Sequence, residues 1–98
     1  MQKCIESTIS GINLDHEYLF WIRNNAVQLG LKGITFFKGD GSIKVIAEGE
    51  EQNLNKFLNK LRRGRHFFSI FYPVENFSII LHEPKNEFED FTISESTE

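Results

Sequence analysis

The sequence predicts an α+β fold in which two helices cover one face of an antiparallel sheet. Three observations predict it: two segments carry apolar residues at helical spacing, several others have strand-like patterns, and a glycine-bearing turn joins two of these strands. The 98 residues suit one compact domain. With 40% hydrophobic and 26% charged residues, the composition is that of a folded protein rather than a disordered one.

The first strand and the first helix are separated by a change of period. Residues 3–10 alternate weakly, as a strand with two different faces does. The next apolar residues are spaced by three, four and three, on one helical face: Leu19, Ile22, Ala26 and Leu29. Asp15 is the expected N-cap and Gly30 the expected stop. A helix is therefore predicted over 16–29.

The middle of the chain predicts a hairpin and a second helix. Strands over 31–37 and 42–48 are joined by a turn that contains Gly39 and Gly41. Four apolar residues then follow at helical spacing: Leu54, Phe57, Leu58 and Leu61. Acidic residues in the first turn and basic residues in the last suit the helix dipole, so a helix is predicted over 50–63.

Two further strands complete the order β-α-β-β-α-β. Residues 74–82 alternate, and a short strand is expected around 91–94. Both helices are apolar on one face only, so both are expected on the same side of the sheet, as in a ferredoxin-like sandwich. One domain over 1–93 and a polar tail over 94–98 are predicted. This fold hosts many unrelated activities and does not by itself indicate a function.

Composition excludes several classes of function. The net charge of −3 and the pI near 5.6 argue against a dedicated nucleic-acid binder. One cysteine, Cys4, cannot form an internal disulfide, and the three histidines are far apart in the sequence, so no metal site is expected. The first residues lack the apolar core of a signal peptide, and no window suits a membrane span. The expected location is the cytoplasm.

Two segments give the chain a resemblance to a known family. Residues 21–33, with the sequence WIRNNAVQLGLKG, resemble the first helix and the following strand of acylphosphatases. The motif DGS at 40–42 and the motif AEG at 47–49 are similar to the hairpin of that family and to the entry into its second helix. The resemblance extends over roughly 3–93 and needs no gap before residue 64. It implies the same ferredoxin-like fold.

The resemblance also implies an activity and a site. Acylphosphatases hydrolyse the carboxyl–phosphate bond of small acyl phosphates without a metal or a cofactor. In the family, a glycine-containing loop and the start of the first helix hold the phosphate through main-chain N–H groups, and an arginine neutralises its charge. An asparagine in the second strand holds the attacking water.

Carried over without gaps, the family's site falls on unsuitable residues. Its loop corresponds to Asn13, Leu14, Asp15, His16, Glu17 and Tyr18. The arginine position is Leu19 and the asparagine position is Phe37, which carry neither a charge nor an acceptor for water. The two loop glycines become Asp15 and Glu17, whose charges repel a dianion. His16 is expected to be solvated or to cap the helix, and Asp15 to occupy the helix N-terminus in place of the anion.

From these departures the sequence predicts a non-catalytic acylphosphatase-like domain that acts in protein interaction or self-association. The alternative is an active acylphosphatase that uses non-standard residues, with Arg23 and Lys38 as the candidate cations. A third hypothesis is a ligand-binding or RNA-binding module, suggested by the basic run over 60–66.

The predicted partner surface is an aromatic segment after Gly64, where the chain is about four residues longer than the family pattern. It contains the large apolar residues Phe67, Phe68, Ile70, Phe71 and Tyr72. They are expected either to contact a protein partner or a second copy of the chain, or else to fold back onto the core or extend the following strand. The open face of the sheet is the second candidate surface, and Phe37 is expected either on that face or at the family's site.

Overall fold

The computed structural model describes residues 1–11, 14–67, 70–72 and 74–94. In chain order its elements are β1 (Gln2–Gly11), α1 (His16–Gln28), β2 (Lys32–Phe37), β3 (Ile43–Glu50), α2 (Glu51–Arg63), β4 (Arg65–Phe67), β5 (Ile70–Tyr72), β6 (Val74–His82) and β7 (Phe91–Ile93). The predicted helices and strands are confirmed to within two residues at each end. The short strands β4 and β5 were not predicted.

The main sheet has five strands in the order β6-β1-β3-β2-β7. The pairs among β6, β1, β3 and β2 are antiparallel, whereas β7 pairs parallel with β2. The predicted fold class is therefore confirmed as a mostly antiparallel sheet rather than a fully antiparallel one. Strands β4 and β5 form a separate two-stranded sheet.

Both helices pack on one face of the main sheet and form a single apolar core with it. The sheet contributes alternate residues of its central strands, among them Ile5, Ile9, Ile43, Val45 and Ala47. Helix α1 adds Leu19, Ile22 and Ala26, and helix α2 adds Leu54, Phe57 and Leu61. Burial of each large apolar side chain stabilises the fold by roughly 1.5–3 kcal/mol. Neither 13-residue helix of the described chain is long and apolar enough to cross a bilayer.

The hairpin between β2 and β3 depends on two of its glycines. Gly41 in the turn has φ 88°, which glycine adopts without strain. The carboxylate of Asp40 accepts hydrogen bonds from the hydroxyl and the main-chain N–H of Ser42, and these bonds lower the pKa of Asp40. Gly33 has φ 149°, and a Cβ there would lie 1.8 Å from the carbonyl oxygen of Ile46. The close pairing of the two strands therefore requires glycine at position 33.

The connection from β6 to β7 joins the two edges of the sheet and is anchored by a buried carboxylate. Glu48 at the end of β3 is only 5% exposed. It accepts hydrogen bonds from the main-chain N–H groups of Lys85 and Asn86, the latter at 3.2 Å. Cys4 is fully buried opposite Glu48 in the β1–β3 register. The carboxylate thus ties the connecting segment 83–90 to the central strands.

Candidate active site at the start of α1

The predicted phosphate loop lies at the end of the sheet where β1 finishes and α1 begins. Of its residues, Asn13 lies outside the described residues, and Leu14 is partly buried against the core. Strand β2 ends at the same place. The ring of Phe37, its last residue, lies edge-on to the ring of His16, with 5.5 Å between the two ring centres. The structure therefore brings together the start of α1 and the end of β2, as the resemblance implies.

Asp15 caps helix α1 with its own side chain. It has an extended backbone, and one carboxylate oxygen accepts a hydrogen bond of 3.0 Å from the N–H of Tyr18. Its carbonyl oxygen also accepts from the N–H groups of Tyr18 and Leu19. The predicted N-cap is confirmed. The carboxylate is exposed to solvent at the place where an anion would approach the helix.

The remaining residues of the predicted loop belong to the first turn of α1. His16 and Glu17 are exposed on the surface of this turn. Tyr18 is 1% exposed, and its ring packs edge-on against Trp21 at 5.3 Å. Tyr18 is therefore a core residue and does not line a surface site, which corrects its assignment to the phosphate loop. Sequence periodicity could have found this, because Tyr18 is one turn before the core residue Ile22.

The two positions that the resemblance assigns to the family's arginine and asparagine are both apolar. Leu19 is 2% exposed and packs in the core between the helices and the sheet. Phe37 is half-buried, packs against the same core, and pairs in register with the core residue Ile43. Directly paired residues share a face of the sheet. Phe37 therefore lies on the helix side, at the end of β2, and not on the open face.

The two candidate cations lie on the elements that meet at this site. The Arg23 guanidinium lies 5.7 Å from the centre of the exposed Phe20 ring. His16, Phe20 and Arg23 are spaced by four and three residues, so they share one face of α1, the face that meets Phe37. Lys38 directly follows Phe37 and is half-buried; its main-chain N–H donates to the carbonyl oxygen of Ser42 at 2.8 Å.

The open face of the sheet, the second predicted contact surface, carries a charged cluster. The Glu6 carboxylate accepts hydrogen bonds from the Lys44 ammonium and lies 3.1 Å from Nε2 of His82. The hydrogen bond from Lys44 is the main reason why the pKa of Glu6 is lowered. In the part of the chain that the structure describes, no three histidine, cysteine or acidic side chains converge to hold a metal ion.

The predicted aromatic partner segment forms the β4–β5 strand pair. Phe67 is in β4, and Ile70–Tyr72 form β5, with Phe67 opposite Ile70 in register. Phe68 lies outside the described residues. The contact of this segment with a partner or with a second copy stays a prediction.

Comparison with known proteins shows which family the chain resembles. The model of the acylphosphatase family matches residues 6–93. The acylphosphatase of Thermotoga maritima is 33% identical over 91 residues, which cover 93% of this chain and 96% of the relative. The acylphosphatase of Deinococcus radiodurans is 45% identical over 47 residues, which cover 48% of this chain and 54% of the relative.

Solved structures agree with the fold. The acylphosphatase of Bacillus subtilis superposes with a TM-score of 0.82 at 21% identity, over 96% of this chain and 99% of the other. The acylphosphatase of Coxiella burnetii gives 0.82 at 22% identity, over 95% and 93%. The expectation of a non-catalytic interaction module is contradicted, because relatives that match nearly the whole chain are named as enzymes. An enzyme is the better supported alternative, and the chain belongs to the acylphosphatase family.

Proposed function

We propose that this protein hydrolyses acyl phosphates, and that it does so without the arginine and the asparagine that its family uses. The observation that carries the activity is the 33% identity to an acylphosphatase over 96% of that relative's length. The proposal that both side chains are replaced rests on Leu19 and Phe37, which the ungapped resemblance assigns to those positions and which have no polar side-chain atom.

The reaction needs positioning more than it needs strong acid or base catalysis. Water adds across the carboxyl–phosphate bond and gives a carboxylic acid and inorganic phosphate. Because the leaving carboxylate is already stable, the protein's main tasks are to bind the phosphate dianion and to orient the water. A site that retains the phosphate-binding backbone can therefore retain turnover.

The start of α1 is the proposed phosphate-binding element. The helix dipole and the first N–H groups favour an anion there. The Asp15 carboxylate accepts the N–H of Tyr18 at 3.0 Å, so a bound phosphate competes with this side chain for the same donors. Because Asp15 is exposed, its carboxylate can turn into solvent when the substrate binds, at the cost of the roughly 1 kcal/mol that such a cap contributes.

Arg23 is the proposed cation. Helical side chains point back toward the N-terminus of their helix, so the Arg23 guanidinium is directed toward the turn that contains His16. Its position near the Phe20 ring supports this direction. Lys38, next to Phe37 at the end of β2, is the second cation proposed to contact the phosphate. His16 meets Phe37 and is proposed to orient the water through a ring nitrogen.

Hydrolysis of benzoyl phosphate tests this proposal. The protein is expected to accelerate hydrolysis over buffer, and Arg23→Ala is expected to lower kcat/KM by roughly 10²-fold, the usual cost of a preorganised charge-stabilising donor. The matched control is Lys56→Ala, which removes an exposed cation from α2 and should leave turnover unchanged. Absence of any acceleration by protein shown to be folded by circular dichroism would overturn the activity. Equal rates for Arg23→Ala and Lys56→Ala would overturn the role of Arg23.

A further inference from the structure

A cleft of about 220 Å³ lies between the two helices, lined by residues that the proposed reaction does not use. Helix α1 contributes Trp21 and Asn25 to it, and the last turn of α2 contributes Lys60, Arg63 and the adjoining Gly64. One wall is thus aromatic and the other is cationic. This combination is suited to a ligand that has both a flat apolar part and a negative charge.

The aromatic wall is held in place by contacts within α1. The Trp21 indole packs edge-on against Tyr18 at 5.3 Å, and Tyr18 is fixed in the core with 1% of its surface exposed. The side-chain amide of Asn25 donates a hydrogen bond of 2.8 Å to the carbonyl oxygen of Trp21. Because these side chains are already ordered in the fold, stacking of a ligand on the indole causes little further loss of side-chain conformational entropy.

The cationic wall has charge to offer a ligand. Lys60 and Arg63 are three residues apart, so they lie on one side of α2 and face the cleft together. In the described ranges neither makes a salt bridge with a carboxylate. The helix dipole accounts for basic residues in this last turn, but it does not account for two of them lining the same cleft as an indole.

We propose that this cleft binds a small organic anion that combines one planar apolar group with a phosphate or a carboxylate. The planar group stacks on Trp21, and the anionic oxygens pair with the guanidinium of Arg63 and the ammonium of Lys60. Asn25 lies beside the stacked group and provides a polar contact that favours one orientation. A volume of about 220 Å³ suits one ring with one anionic group, since the pockets that hold drug-sized ligands measure roughly 300–1,000 Å³.

The fluorescence of Trp21 tests this site directly, because the chain has one tryptophan. Titration with phenyl phosphate is expected to give a saturable change in emission. The double variant Lys60→Ala/Arg63→Ala should weaken binding at least about tenfold, as the loss of charge-assisted hydrogen bonds predicts. Lys56→Ala, with an equal change of charge per residue on the same helix, should bind as the unmodified protein does. Inorganic phosphate and benzyl alcohol each supply half of the required chemistry and should bind at least about tenfold more weakly.

Specific results would overturn the proposal. Absence of a saturable change would do so, as would equal affinity in the double variant or an equal loss in Lys56→Ala. Chemical-shift mapping on the unmodified protein gives a test that does not depend on the folding of a variant. Shifts should concentrate at the indole N–H of Trp21 and the side-chain amide of Asn25. Shifts concentrated at the first turn of α1 would instead assign the anion to the proposed active site and overturn the cleft.

Discussion

Two carboxylates hold main-chain N–H groups at opposite ends of the sheet, and they differ in exposure. Asp15 accepts the N–H of Tyr18 at the start of α1 and is open to solvent. Glu48 accepts the N–H groups of Lys85 and Asn86 and is 5% exposed. A solvated carboxylate can exchange its place with another anion, whereas a buried one cannot leave without exposing the donors it satisfies. The first therefore suits a binding site, and the second is a permanent part of the fold.

The largest expected effect is the loss of the buried carboxylate. Glu48→Ala leaves the N–H groups of Lys85 and Asn86 without their acceptor, and charged hydrogen bonds contribute about 1.5–3 kcal/mol. The free energy of unfolding should fall by about 2–3 kcal/mol in urea denaturation. Glu87→Ala, which removes an exposed carboxylate from the connecting segment itself, is the control and should change it by less than about 0.5 kcal/mol. A Glu48→Ala protein as stable as this control would contradict the claim that the Glu48 carboxylate is a permanent part of the fold.

The second prediction concerns the thiol that pairs with Glu48 in register. Burial raises the pKa of Cys4 to about 11, and the negative charge of Glu48 adds to this rise. At pH 8 the thiolate is then about 100-fold scarcer than for a cysteine with a pKa near 9. Alkylation by iodoacetamide should be slower than for a free cysteine by at least that factor. A rate equal to that of free cysteine would show that neither burial nor Glu48 restrains the thiol.

The third prediction adds a cation to the end of the sheet that carries Asp15. Leu19→Arg places a guanidinium at the position that the resemblance assigns to the family's arginine, and should raise kcat/KM for benzoyl phosphate by roughly 10²-fold. It also replaces a buried leucine by a charged side chain, which lowers stability by more than the roughly 1.5–3 kcal/mol of lost apolar burial, so turnover is measured well below the melting temperature. Leu19→Met keeps the apolar volume and should leave turnover unchanged. A folded Leu19→Arg protein that is no faster than Leu19→Met would contradict the proposed location of the phosphate.

The smallest expected effect separates the charge of Asp15 from its role as a cap. Asp15→Asn keeps an oxygen that can accept the N–H of Tyr18 but removes the charge, so stability should hardly change and KM for benzoyl phosphate should fall a few-fold. Asp15→Ala removes both and should cost about 1 kcal/mol of stability. Identical unfolding free energies for the two variants would show that the cap contributes nothing. An unchanged KM in Asp15→Asn would show that the charge does not oppose the substrate.

The ends of the sheet that carry Asp15 and Glu48 also show what could be predicted from the sequence and what could not. The cap at Asp15 and the stops at Gly30 and Gly64 depend on neighbouring residues, so local patterns were sufficient to predict them. The burial of Glu48 depends on a segment that returns nearly 40 residues later, and alternation within β3 assigns Glu48 only to the outer face. No local pattern predicts that contact.

The strand pair β4–β5 was missed for a different reason. Its large apolar residues, five of the six positions from 67 to 72, have no period that distinguishes a strand from a loop folded onto the core. At the candidate site, the resemblance correctly located the meeting of α1 with β2, as the contact between His16 and Phe37 shows. The prediction that activity is lost weighed individual side chains only. It was contradicted by relatives that match nearly the whole chain.

The anchoring of segment 83–90 has a consequence for aggregation. Strand β7 covers the edge of β2 through only three residue pairs, and it begins shortly after the amides that Glu48 holds. Strand β2 contains the sequence Ile34-Thr35-Phe36-Phe37, a short, uncharged run of residues that favour strands, and β7 pairs with its first two residues. If β7 detached, this edge would become a template for intermolecular strand pairing. By holding the segment that leads into β7, the buried carboxylate is therefore expected to keep this edge covered.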